Sequence, residues 1–544
     1  MNKRLALNSI ALLYLVFLIA IQIFYPGLNG DEPAYGHYSR LIASGLHPLR
    51  DFWSQQMDLF FYIMGNWMKL FGFSFESGRL LGGILVFLTA LSLSWHIKRL
   101  FRVQFWFALI AFCSLCFFFN TTITVTHYAV SNTFFVFSFI LLCRALEESP
   151  QGKWNKFVLF LSGVSLGIAG GARILFEALF LLYIGFIVVL RQRRSMKESA
   201  IFLLGFTLSN SLVIAQIMAV GLNEFLFYKY LWFVQYGEVT QGGRPYSYNE
   251  FWNAVSNTFL HYQMVLLWIA EVFAMRFILM QFSKRRVLSF EQKVTVFSFV
   301  CIFFILVSYF QRGLYNIRYF SNGIVLLLYP FFYSYTLAGA KMKKVFVWAA
   351  VVLFLTGYIP GGLREKLPAL VSSGAFSNYK VASVLELSPL GRILVKYVHK
   401  TKKNPSFKTI PAGRQYTQKT LEYLDSIGKN RNRVVVFDPF GYVSFLSGLA
   451  VPPGMEGGNC TGYDIHRKSG SAYDLDDAFI KKYHFIARKD IVHSLEHQLY
   501  DVIIYTSYMG DDDVKLMEAY YQPYFIDQET GYGVYVPRRM SSSS

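Results

Sequence analysis

The sequence predicts a polytopic α-helical membrane protein of about eleven spans, followed by a small α/β domain outside the bilayer. Three observations predict it. Apolar residues fill 54% of the 544 positions, giving a mean hydropathy of +0.36, and they gather in runs near the length that crosses a bilayer. Basic residues cluster between alternate runs. From Gly361 onward the apolar runs shorten to strand length while proline, glycine and charge rise.

Spans are expected at 6–25, 79–97, 105–119, 128–146, 157–172, 174–190, 200–221, 258–281, 294–311, 320–340 and 345–360. The first run has no small-residue cleavage site and leads into further apolar chain, so a retained helix is expected rather than a signal peptide. Lys98, Arg99, Arg102, Arg144, Lys153, Lys156, Arg191, Arg193, Arg194, Lys197, Lys284, Arg285, Arg286, Lys341, Lys343 and Lys344 then fall on one side with Lys3 and Arg4. By the positive-inside rule that side is cytoplasmic. Much of the net charge of +19 is therefore topological, which removes the reason to expect a nucleic-acid partner. The same topology sends residues 26–78, 223–257, 312–319 and the whole tail to the opposite compartment.

The tail divides by composition into a linker at 361–404, an α/β domain at 405–539 and a flexible end at 540–544. Strands are expected at Val434 to Phe437, Val502 to Tyr505 and Gly533 to Val536, with helical stretches at Tyr416 to Ile427 and Asp476 to Tyr483. Of five cysteines only Cys460 lies in the tail, so neither a disulfide framework nor a thiolate metal site is available. Asp511-Asp512-Asp513 and the Asp474 to Asp477 cluster read as solvated caps, with a divalent cation as the alternative and no metal ligands assigned.

The outer loop after the first span carries the chemistry. It holds three carboxylates, Asp31, Glu32 and Asp58, within two segments expected to be short helices: Ala34 to Ile42, and the aromatic-rich run from Leu59 to Phe71. A lone acid at a span end is often a solvated cap. Three acids in one aromatic loop point instead to a structured lid over a site.

Asp-Glu after the first span, two juxtamembrane helices, Asp51-Phe52 followed by Gln55, and Phe71-Gly72 before the second span resemble the GT-C glycosyltransferases of the protein mannosyltransferase and aminoarabinose transferase group. Arg173 in Gly170-Gly171-Ala172-Arg173, and Arg318-Tyr319 ahead of Pro330, extend the likeness through the membrane part, residues 1–360. The tail resembles the variable periplasmic domain of these enzymes.

The resemblance implies a polyprenyl-phosphate-sugar donor, a periplasmic glycan, lipid or protein acceptor, membrane lipids as surroundings, and one inverting displacement that requires no cofactor. By family position Asp31 is the base, with Glu32 and Asp58 as further catalytic candidates. The leaving lipid phosphate needs cations, and arginine suits its fork geometry. Arg318, Arg173, Arg312 and Arg244 are the candidates, with interfacial snorkelling the alternative for Arg312 and an ion pair to Glu177, four residues on along a helix, the alternative for Arg173. Gln55, Gln56, His127, Asn132 and Tyr319 are further cavity candidates.

Two departures stand out. Relatives often carry a basic residue before proline where this chain has Gln56-Met57-Asp58, and Asn132 stands where relatives often have an acid. Asp58 is thus either a replacement carboxylate or a structural cap, and His127 either an interface histidine or a catalyst. The rival class is a transporter or flippase of lipid-linked sugars. Its sequence argument is Glu271, an intramembrane acid with Arg276 as its expected partner, whereas the polar residues otherwise gather in outer loops without an internal repeat. A compact first loop without a disulfide-bearing lumenal domain favours a bacterial inner membrane.

Overall fold

The computed structural model describes residues 3–24, 32–49, 51–52, 54, 57–115, 119, 122–147, 153–226, 229, 262–283, 287–310, 323–348, 420, 422–424, 434–437, 488–505, 511–526 and 533–538. The chain forms two compact units: Met1–Tyr25, Arg79–Met218 and Tyr246–Arg392 in one, and Pro26–Gly78, Ala219–Pro245 and Ile393–Ser544 in the other.

The first unit is helical. It contains α1 (Lys3–Phe24), and its part of the chain continues through α4 (Phe75–Phe101), α5 (Phe105–Cys113), α6 (His127–Glu147), α7 (Lys153–Ala172), α8 (Leu179–Arg191), α9 (Ser195–Ser209), α10 (Ser211–Val220), α12 (Tyr262–Ser283), α13 (Phe290–Phe310) and α14 (Leu328–Leu337). Among the described residues six helices are long and apolar enough to cross a membrane, or seven if α9 and α10, bent by 61° at Asn210, count as one span. The 105–119 segment departs from expectation: its described helix, α5, has nine residues and reaches only about 14 Å. Within the 320–340 segment the described helical stretch Val325–Leu337 is also shorter than a span, and it opens on a 3-10 turn, Val325–Leu327, that leads into α14. Pro330 explains that break, because its ring nitrogen has no proton to give the Leu326 carbonyl. The 345–360 segment is described only as far as residue 348.

Small residues set the helix spacing, as they must in a bilayer where lipid competes equally for apolar contact. A Cβ on Gly163 would strike the Phe202 carbonyl oxygen of α9, and one on Gly205 would strike that of Phe160 in α7. Ser138 on α6 and Ser162 on α7 each donate a 2.8 Å hydrogen bond to the other's carbonyl oxygen. Phe297 of α13 stacks on Phe186 of α8 at 4.1 Å and on Phe139 of α6 at 5.3 Å, giving this interface flat, closely packed surfaces.

The positive ends come together as charge alternation requires. Glu147 accepts ion pairs from Arg144 at 3.2 Å and Arg99 at 3.5 Å, while Arg191 pairs with Glu198 at 3.2 Å and donates to the Ala145 carbonyl at 2.9 Å. The C-terminal ends of α4, α6 and α8 and the start of α9 therefore share one end of the unit. Glu271 and Arg276 do not pair: Glu271 is buried in α12 and Arg276 exposed, because five residues separate them by about 140° around the helix.

In the second unit the expected loop helices form as α2 (Glu32–Ala43) and α3 (Leu59–Phe71), and α11 (Leu222–Leu226) follows α10. Gly65 of α3 admits the Ser39 carbonyl oxygen where any side chain would collide. Tyr38 stacks on Phe52 at 5.7 Å and meets Phe61 edge-on at 5.2 Å, closing an aromatic core between the two helices.

The tail contributes β1 (Val434–Phe437), α15 (Arg488–Glu496), β2 (Val502–Tyr505), α16 (Asp511–Tyr520), β3 (Tyr521–Ile526) and β4 (Gly533–Pro537). The sheet order is β1-β2-β4-β3, with β1 and β2 parallel and the other pairs antiparallel. Alternation along β2 sends Ile503 to one core with Leu495 and Met517, and Val502 and Ile504 to another with Leu424. The Asp511 triplet opens α16, where the helix dipole favours acids. The 476–483 stretch lies outside the described residues.

Candidate functional site

Each unit presents one cluster of the residues that the sequence singles out. In the loop unit, Glu32 begins α2 and is fully buried, with Pro33 behind it in the first turn, where a missing amide proton costs nothing. Asp58 precedes α3, yet its side chain makes no capping hydrogen bond. Its Oδ2 instead lies 2.7 Å from Lys229 Nζ, with both side chains wholly buried, and the same ammonium donates to the Ser54 carbonyl at 2.9 Å. The cap alternative for Asp58 is therefore replaced by an ion pair.

Burial pushes the Lys229 ammonium below its ordinary value, and the Asp58 charge and hydrogen bond pull it back up by less. Two charges removed from water in this way hold each other in place: the loss of either strands the other. Lys229 is not among the residues that the sequence singles out. The available signal was a lone cation in the aromatic run Phe225-Leu226-Phe227-Tyr228-Lys229-Tyr230, in a segment expected outside the membrane.

In the helical unit the cluster lies where α7 gives way to α8. Arg173 is extended, at φ −156° and ψ 117°, between the end of α7 and the 3-10 turn Ile174–Phe176. The four-residue helical spacing to Glu177 therefore does not exist, and in place of the alternative ion pair there are two separate contacts. The Arg173 guanidinium sits 4.5 Å above the Tyr128 ring, which stacks on His127 at 4.3 Å. Glu177 Oε2 accepts from Asn210 Nδ2 at 3.2 Å, at the bend between α9 and α10. Asn132 is buried and donates to Thr122 Oγ1 at 3.1 Å, which ties α6 to the segment before it.

Arg173 and His127 thus meet around Tyr128, Asn132 lies four residues beyond Tyr128 on α6, and Glu32, Asp58 and Lys229 belong to the other unit. Asp31, Gln55, Gln56, Arg244, Arg312, Arg318 and Tyr319 lie outside the described residues.

Comparison with known protein families gives no match, and comparison with curated proteins gives none. Solved structures do match. ArnT from Cupriavidus metallidurans bound to undecaprenyl phosphate aligns over 98% of this chain and 98% of its own, at 11% identity and a TM-score of 0.56. The apo form of the same protein aligns over 98% and 97%, at 12% identity and a TM-score of 0.55. AglB, an archaeal oligosaccharyltransferase from Archaeoglobus fulgidus, aligns at a TM-score of 0.48. The chain is thus a polytopic α-helical membrane protein with the fold of ArnT, as the resemblance in its first loop and late arginines led one to expect.

Proposed function

We propose that the chain is a membrane glycosyltransferase that moves a sugar from a polyprenyl-phosphate donor to a hydroxyl of an extracytoplasmic glycan, lipid or protein. The observation that carries this reading is the end-to-end fold likeness to ArnT, a protein solved with undecaprenyl phosphate bound. In the reaction the acceptor oxygen attacks the anomeric carbon, the bond from that carbon to the phosphate oxygen breaks, and configuration inverts. The acceptor proton passes to a carboxylate, assigned to Asp31, while the lipid phosphate departs with both bonding electrons.

The buried pair of Asp58 and Lys229 supports the reading by making the first loop a rigid platform rather than a solvated linker. Arg173, held over the Tyr128 ring, is a positioned cation for the leaving phosphate, with Arg318, Arg312 and Arg244 as further phosphate ligands. No cofactor is needed for this chemistry. A bacterial inner membrane, with the 26–78 loop and the 405–539 domain on the periplasmic side, completes the assignment.

The test is transfer itself. Purified protein is supplied with polyprenyl-phosphate sugars and envelope lipids, polysaccharide or protein, and products are read by mass spectrometry. A covalent glycosyl product that is lost in Asp31→Asn supports the assignment. Movement of lipid-linked sugar across vesicles with no covalent product replaces it with a carrier.

A further inference from the structure

Helix α15 is anchored in the tail by Leu495, which is fully buried against Ile503, Met517, Tyr521 and Tyr535. His493 precedes Leu495 by two residues and His497 follows it by two, so both project away from that core, about 200° around the axis. Both are exposed, and their ring centroids lie 4.0 Å apart.

One carbonyl orients the second ring. The His493 carbonyl oxygen accepts from the His497 amide at 3.0 Å and also lies 2.8 Å from His497 Nδ1. A carbonyl can only accept, so the ring proton belongs on Nδ1 and the lone pair on Nε2. Metal-binding imidazoles have this arrangement, one nitrogen tied to an acceptor and the other available. The helix end is itself fixed: Gln498, at φ 50°, donates from Nε2 to the Tyr520 carbonyl at 3.0 Å and the Arg538 carbonyl at 3.3 Å. The local carbonyl ends also favour a cation at this terminus.

We propose that His493 and His497 form a bidentate site for a divalent transition metal, Zn²⁺, Cu²⁺ or Ni²⁺, on the surface of the tail. Imidazole suits these ions, whereas Mg²⁺ and Ca²⁺ require oxygen ligands. Among the described residues no third histidine, cysteine or carboxylate joins the pair, so the remaining coordination positions are open to water or to an anionic oxygen from a ligand. Two neutral nitrogens leave the full charge of the ion in place. A phosphate or carboxylate group on an extracellular glycan is the class of ligand it would attract.

The experiment titrates full-length protein in nanodiscs with Zn²⁺ against a chromophoric chelator, and records the Cu²⁺ paramagnetic resonance spectrum. His493→Gln and His497→Gln are each expected to weaken one Zn²⁺ equivalent by roughly tenfold or more. Either change should also reduce the copper hyperfine pattern from two imidazole nitrogens to one, while excess Mg²⁺ leaves binding intact. Glutamine is tolerated at exposed positions on a helix and just past its end, and an unchanged thermal melt confirms a folded tail. Unchanged zinc binding in both variants, loss in only one of them, or displacement by Mg²⁺ overturns the site.

Discussion

Lys229 and Asp58 meet at 2.7 Å where neither side chain reaches water. Such a pair is weak evidence of net stability but strong evidence of mutual dependence, since either charge alone would be buried and uncompensated. Asp58→Asn and Lys229→Met are each expected to destabilise the loop unit by about 3–5 kcal/mol, and the double substitution to cost clearly less than their sum. Thermal unfolding in detergent measures the cycle. Additive single effects would mean that the two side chains do not act as a pair.

The same lysine gives a pH signature. Burial holds its folded value below the ordinary 10.5, so as pH rises through that depressed value the folded protein sheds a proton that the unfolded chain keeps until about 10.5. The lysine's contribution to stability is least favourable below this window and improves as pH rises across it. Lys229→Met should flatten that part of the stability curve. An unchanged curve would show that another group titrates there.

Asp31→Asn preserves size but cannot take up a proton, so turnover should fall by roughly two orders of magnitude or more while donor binding persists. Near-normal turnover moves the base to Glu32, tested by Glu32→Gln in the same assay, or to Asp58, whose variant is scored only where its thermal melt shows a folded protein.

For the phosphate cradle, Arg173→Ala should weaken donor affinity by about 1.5–3 kcal/mol, the range for a hydrogen bond to a charged group. Arg173→Lys should recover only part, because a point charge over the Tyr128 ring lacks the bidentate fork. Arg318→Ala and Arg318→Lys are expected to follow the same order. Donor titrations with unchanged affinity in both alanine variants would assign the arginines a structural role.

Deleting residues 405–539 should abolish transfer to the native acceptor and leave donor affinity within a few-fold, provided the membrane part remains folded. Loss of donor affinity in a folded truncation would place the tail in the donor pocket instead.

What the sequence made legible follows periodicity. Helices α2 and α3 announced themselves by apolar spacing between turn residues, and β1, β2 and β4 by short β-branched runs. Contacts that depend on tertiary approach did not. Lys229 meets Asp58 across a long stretch of chain, and no local pattern encodes that meeting. The alternative Arg173–Glu177 pair does not form for a related reason: it needs helix spacing across a point where the backbone becomes extended. Likewise the 105–119 run has a span's composition but a described helix of nine residues, because composition measures solubility in lipid and not continuity of hydrogen bonding.

The crossed serine bonds between α6 and α7 have a mechanical consequence. Each hydroxyl reaches the other helix's carbonyl, so sliding one helix along the other by a single turn, about 5.4 Å, would break both bonds in the same stroke. In lipid no solvent is at hand to replace them. The two helices are therefore keyed in register at that level, a joint about which one can pivot on the other but not telescope along it.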